Sequence, residues 1–155
     1  MPLQKLYKIP HAKTIIYFNL HAMNISPVIL FDGVCNLCNG SVQFVIKHDQ
    51  TALFKFASLQ SDAAQQLLSR YQLSGADLSS FILIKDNKVY TRSTAALLVA
   101  RQLTGVVKYL YIFSVIPTFI RDGVYNFIAR NRYRWFGKQE SCMVPTKDML
   151  ARFLT

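Results

Sequence analysis

Val28-Ile29-Leu30-Phe31-Asp32-Gly33-Val34-Cys35-Asn36-Leu37-Cys38 joins an apolar run to a pair of cysteines three residues apart. Four consecutive apolar residues read as a short strand covered on both faces, the pattern of a central strand rather than an edge. Asp32-Gly33 breaks the run, and helical periodicity follows, with Leu37, Ser41, Phe44, Val45 and His48 expected on one side. Cys35 and Cys38 thus fall where a strand gives way to a helix. Positions three apart share a helix face, so the two thiols can approach and close into a disulfide.

The setting also bears on reactivity. A thiol in the first turn meets unpaired backbone N–H groups and the positive end of the helix dipole, and such cysteines have pKa values of about 3.5–7.5. The N-terminal thiol of such a pair is ordinarily the more exposed. Cys35 is therefore expected to attack a disulfide and Cys38 to resolve the mixed disulfide. Asp32, three residues before Cys35, is the third candidate site residue: its carboxylate either caps the helix or accepts a proton from Cys38. Gly33 and Gly40 read as architectural.

Other chemistries compete for the pair. A structural zinc site needs four ligands, and beyond the pair only the distant Cys142 and His48 offer themselves. Attachment of a c-type haem requires histidine directly after the second cysteine, where this chain has Asn39. Two inert, buried thiols are the bland reading. No metal and no cofactor is expected. Cys142 reads as a buried thiol, with a third redox thiol as the alternative; His11 and His21 lie near the N-terminus and carry no role.

Outward from the motif, elements alternate. Leu53 to Ala57 reads as a second strand, and Ser61 as the cap of a helix carrying Ala64, Leu67, Leu68 and Tyr71, ended near Gly75. Phe81 to Ile84 is a third strand. Asp86-Asn87 supplies turn residues before Val89-Tyr90-Thr91. Ser93 or Thr94 then caps a helix from Ala95 to Leu103, closed by Gly105. The order is β-α-β-α-β-β-α. Beyond it the chain turns helical: Val106–Val115, then past Pro117 a helix whose Phe119, Ile120, Val124, Phe127 and Ile128 are expected to form one apolar face, a loop around Trp135-Phe136-Gly137, and a short helix capped by Thr146. The apolar stretch 109–120 is about twelve residues long, short of the roughly twenty that span a bilayer, so a buried helix pair is expected there.

The 155 residues suffice for one self-sufficient core, and a 52% hydrophobic content with 11 Phe and 8 Tyr excludes a disordered chain. Three cysteines are too few for a disulfide scaffold. The formal net charge of +10 predicts attraction to anions. Arg121, Arg130, Arg132, Arg134 and Lys138 concentrate that charge late in the chain. No zinc finger, phosphate-binding glycine loop or RNA-reading signature accompanies them, so nucleic acid is not the expected partner; an acidic protein or peripheral contact with a membrane surface is the alternative use. Residues 1–26 read as an N-terminal extension without sustained periodicity, in which Met23 is a second candidate start. With no secretory signal, a cytoplasmic location is expected. There a vicinal dithiol is more readily catalytic or metal-binding than structural.

Asp32-x-x-Cys35-x-x-Cys38 resembles the signature of the DCC family of thiol-disulfide oxidoreductases. Three further blocks agree with it: Phe54-Lys55-Phe56-Ala57-Ser58-Leu59-Gln60, Tyr90-Thr91-Arg92-Ser93-Thr94-Ala95-Ala96, and the run from Tyr125 to Lys138. The resemblance implies an α/β, thioredoxin-like domain over 27–155, with a core of 27–105 and a helical extension of 106–155. It further implies protein-disulfide reductase activity, with a disulfide-containing protein or low-molecular-weight substrate and an external thiol reductant as partners. The proline that thioredoxins carry before the third core strand is replaced by Leu78-Ser79-Ser80. The alternative from another class is a redox- or zinc-responsive binding module with a basic C-terminal surface.

Overall fold

Strand β1 (Val28–Phe31) is buried at every position, as its unbroken apolar run demands, and lies second in a four-stranded sheet. In this computed structural model, which describes residues 26–73, 81–140 and 145–154, the strand order is β2-β1-β3-β4. Strand β2 (Lys55–Ser58) pairs parallel to β1, with Val28 opposite Lys55 and Phe31 opposite Ser58. Strands β3 (Ile82–Lys85) and β4 (Lys88–Thr91) continue it antiparallel. Their two-residue turn, Asp86-Asn87, has φ of 51° and 58°. Both residue types tolerate the left-handed region that such a tight hairpin requires.

The parallel pair needs a crossover, supplied by helix α1 (Asn36–His48). Its buried stripe is Asn39, Val42 and Val45, so of the expected side of Leu37, Ser41, Phe44, Val45 and His48 only Val45 is buried. Alternate residues of β1 point to opposite faces, and each face has its own cluster. Ile29 and Phe31 pack with Val42, Val45, Phe54, Phe56, Leu83 and Val99. Val28 and Leu30 pack with Ala57, Ala64, Leu68, Ile82 and Ile84 under helix α2 (Asp62–Arg70). Ser61 caps α2 as expected, its hydroxyl accepting the Ala64 N–H at 3.3 Å.

Helix α3 spans Arg92–Gln102 and starts a turn earlier than expected. Ser93 is not its cap, because its hydroxyl is engaged by Asp122. The expected buried helix pair after Gly105 is a larger departure. Gly105–Val115 is a 3-10 helix without a buried residue, and in helix α4 (Thr118–Phe136) only Arg132 is buried. Phe119, Ile120, Val124, Phe127 and Ile128 are exposed. The reason is that α4 turns its polar side inward: Asp122 binds Ser93, the Tyr125 hydroxyl accepts the Phe81 N–H, and Arg132 reaches Asp32. A single-face helix that spends its polar side on the core leaves its apolar side outside.

After the short helix α5 (Lys147–Leu150), whose Thr146 makes no side-chain cap, the tail returns to the sheet. Phe56 N–H donates to Arg152 O and Leu154 N–H to Phe56 O, both at 2.8 Å, so the tail covers the free edge of β2. Residues 1–25, Gly75, Leu78-Ser79-Ser80 and Cys142 lie outside the described residues. No described helix is long and apolar enough to cross a membrane.

Candidate active site around the Cys35–Cys38 dithiol

Cys35 is the N-cap of α1: its backbone is extended, and its Sγ accepts the Cys38 N–H at 3.4 Å. The thiol itself therefore does what a serine or aspartate cap does, occupying one of the orphan donors of the first turn. Cys38 sits in that same turn. Asp32 is not the cap. Asn39, buried behind the pair, donates to Gly33 O at 2.9 Å and ties the turn to the helix.

Accessibility runs opposite to the usual order of such pairs. Cys35 is 0% exposed, whereas Cys38 is half-buried and stands in the wall of a cleft of about 740 Å³. The cleft lies between α1, α3, the 3-10 helix and α4; Phe44, Leu103, Leu110 and Ile128 give it an apolar lining, and Asp32 and Arg132 give it a polar end. The chain after α4 accounts for the closure over Cys35. Phe136–Gln139 runs antiparallel beside Val34–Asn36, with a bridge between Cys35 and Lys138 and the Gln139 N–H donating to Val34 O at 2.8 Å. The Asn36 amide donates to Phe136 O, also at 2.8 Å. Gly137 makes the corner with φ of 81°, a conformation that favours glycine, and a Cβ there would lie 3.1 Å from Asn36 Nδ2.

Asp32 is buried with four donors on its carboxylate. Arg132 Nη2 donates to Oδ2 at 3.0 Å and the Tyr133 hydroxyl donates to the same oxygen; Gln60 Nε2 and the Val34 N–H donate to Oδ1 at 3.1 and 3.2 Å. Burial alone would raise its pKa, but the bonds from Tyr133, Gln60, Val34 and Arg132 outweigh it and hold the carboxyl below its ordinary value. The Cys38 thiol moves the other way, pushed up to about 12. Burial is the main cause, then the hydrogen bond and charge of Cys35; Arg132 pulls down against them. Tyr133 is raised by burial and by its bond to Asp32.

Asp32, Cys35 and Cys38 are thus brought together, with Arg132, Tyr133 and Gln60 added from afar. Sequence reasoning placed the late arginines on a basic surface, and Arg132 is buried instead. Its i, i+7 spacing from Tyr125 on the polar side of α4 was the available signal. His48 stays out of the site, its ring nitrogen 2.8 Å from Phe44 O at the far end of α1. Among the described residues, no three His, Cys, Asp or Glu side chains converge as a metal site.

A β2-β1-β3-β4 sheet with a Cys-x-x-Cys pair at the start of the helix after β1 defines a thioredoxin-like dithiol protein. The chain belongs to the DCC1-like thiol-disulfide oxidoreductase family, whose profile matches residues 29–138. It is 51% identical over 127 residues to the uncharacterized protein YuxK of Bacillus subtilis (strain 168), covering 82% of this chain and 93% of that one. It is 41% identical over 117 residues to the DCC family protein At1g52590, chloroplastic, of Arabidopsis thaliana, covering 75% of this chain and 68% of that one. No solved structure matches the chain.

Proposed function

We propose that this protein is a protein-disulfide reductase in which Cys35 attacks and Cys38 resolves. The observation that carries the reading is the seating of Cys35 Sγ on the Cys38 N–H at the helix N-terminus, where a thiolate is stabilised by the dipole and by an orphan donor. Cys38, pushed up to about 12, keeps its proton at neutral pH and leaves the attack to its neighbour. The thiolate of Cys35 attacks one sulfur of the substrate disulfide, forming a mixed disulfide and releasing the other sulfur as a thiolate. Bond formation removes the negative charge at Cys35 that had helped hold Cys38 protonated. Cys38 then yields its proton to the departed thiolate or to solvent and attacks Cys35 Sγ. The Cys35–Cys38 disulfide forms, the second substrate thiol leaves, and the substrate has gained two electrons. An external thiol reductant restores the pair.

Asp32 acts in this scheme as a positioning residue rather than as the base. A carboxylate held by four donors and below its ordinary pKa is a poor proton acceptor. It fixes Arg132, whose charge favours ionisation of Cys38. Access to Cys35 comes when Phe136–Gln139 shifts from its place beside Val34–Asn36.

Reduction of insulin by wild type, Cys35→Ser and Cys38→Ser tests the reading. Both variants lose turnover, and Cys38→Ser accumulates a mixed disulfide through Cys35. Equal rates for the three proteins exclude catalysis by this pair, and a mixed disulfide trapped in Cys35→Ser instead reverses the roles.

A further inference from the structure

We propose that the 3-10 helix Gly105–Val115 and the outward side of α4 form a docking surface for an anionic membrane interface. This surface bears on where the protein works and is independent of the dithiol chemistry.

The surface begins with side chains that a protein surrounded by water has no reason to display together. Val115 is 83% exposed, Val106 80%, Phe119 77% and Ile112 70%; Tyr109, Val124, Phe127 and Trp135 are exposed beside them in the chain. Scattered exposed apolar residues are ordinary, but an extended run of this kind marks an interaction site. On α4, Ile120, Val124, Phe127 and Trp135 follow helical spacing along one side, and the Phe127 and Trp135 rings meet at 5.5 Å. The helix cannot roll this side inward, because Asp122, Tyr125 and Arg132 anchor the opposite side to α3, Phe81 and Asp32.

Charge decides the occupant. Lys108, Arg130, Arg134 and Lys138 are exposed on the same elements or directly after them. Asp122 is the sole acid between 105 and 138, and it is bound to Ser93. A second copy of the chain would set this basic surface against its like, which repels. A bilayer with anionic headgroups answers both halves: basic side chains meet phosphates while Phe, Ile, Val and the aromatic rings enter the acyl boundary. Leu110, Ile128 and Phe136 are exposed and also line the Cys38 cleft, so its rim is continuous with the docking surface.

Flotation of the full chain with vesicles tests the proposal, together with the emission of Trp135, the chain's one tryptophan. Vesicles of phosphatidylcholine with about 30% phosphatidylglycerol bind the protein and shift Trp135 emission to the blue; pure phosphatidylcholine does neither. Salt at about 0.5 M weakens binding at least tenfold or so, as screening requires. Arg130→Glu with Arg134→Glu, and separately Ile112→Glu with Phe119→Glu, each lower binding by roughly tenfold or more, with unchanged far-UV circular dichroism. No flotation with anionic vesicles, or equal flotation with neutral ones, overturns the proposal. So does a lipid-free dimer that Ile112→Glu dissociates, or retention on an acidic protein partner at salt that strips the vesicles, since either assigns the face to protein.

Discussion

Asp32 and Arg132 bring opposite charges into a site where each is almost fully enclosed, their side chains 3.0 Å apart and 9% exposed. A pair of this kind gains little over an apolar replacement, but losing one partner strands the other, at a cost of about 3 kcal/mol. Asp32→Asn is therefore expected to destabilise the protein by about that much near neutral pH, as measured by urea unfolding. The sign of the pH dependence follows from the depressed carboxyl. Its contribution is present above the unfolded value of about 3.9 and is lost as pH falls through the lower folded value. The gap between wild type and Asp32→Asn should close in that acid window, and a gap independent of pH would show that the charge is not what stabilises. At this scale the motif was legible only from one side. Asp32, Cys35 and Cys38 stand together in the sequence, whereas Arg132 and Tyr133 stand 100 and 101 residues from Asp32. The i, i+7 spacing from Tyr125 puts Arg132 on the polar side of α4, but it names no partner when that partner is 100 residues away. The exposures of Cys35 and Cys38 differ from expectation for the same reason: the chain that lies alongside Cys35 arrives from the end of α4.

Elements with strong local signals were read closely. The β1 run, the Ser61 cap and the Asp86-Asn87 hairpin depend on neighbours within a few residues, where propensity and capping chemistry act directly. Helices whose orientation is set by distant contacts were not. For α4 the apolar side was identified correctly and assigned to the core, because periodicity reports which residues share a side and not which way that side points. The segment Phe136–Gln139 is an element-scale feature with a testable consequence. It is held beside the dithiol by a few hydrogen bonds, one of them from the Asn36 amide to Phe136 O. Removing one such bond costs about 1 kcal/mol, which raises the population of any opened form roughly fivefold. Asn36→Ala is thus expected to speed alkylation of Cys35 about fivefold at unchanged pH, read by mass spectrometry of the labelled peptide. An unchanged rate would mean that this segment does not control access to Cys35.

For the whole molecule, the β-α-β-α-β-β-α order was legible from alternation alone, whereas the parallel pairing of β1 with β2 is seen only in the structure. The closing tail was not legible. Arg152 binds the buried Asp49 carboxylate and also donates to Phe54 O, while Phe153 packs edge-on against Phe31. Asp49 is 3% exposed, so Arg152→Ala is expected to cost about 3 kcal/mol and to lower the melting temperature by roughly 10 °C, while leaving the dithiol potential unchanged. A shift in potential would mean that the tail acts on the site through Phe153 and Phe31, which lines the Cys38 cleft. Differential alkylation of the full chain across a glutathione redox series follows directly whether Cys35 and Cys38 interconvert between dithiol and disulfide. The expected result is a two-electron transition in which these two cysteines gain and lose protection together, with the Cys35–Cys38 disulfide recovered as a linked peptide at the oxidising end. Independent oxidation of the two thiols, or no bond between them at any potential, would contradict it.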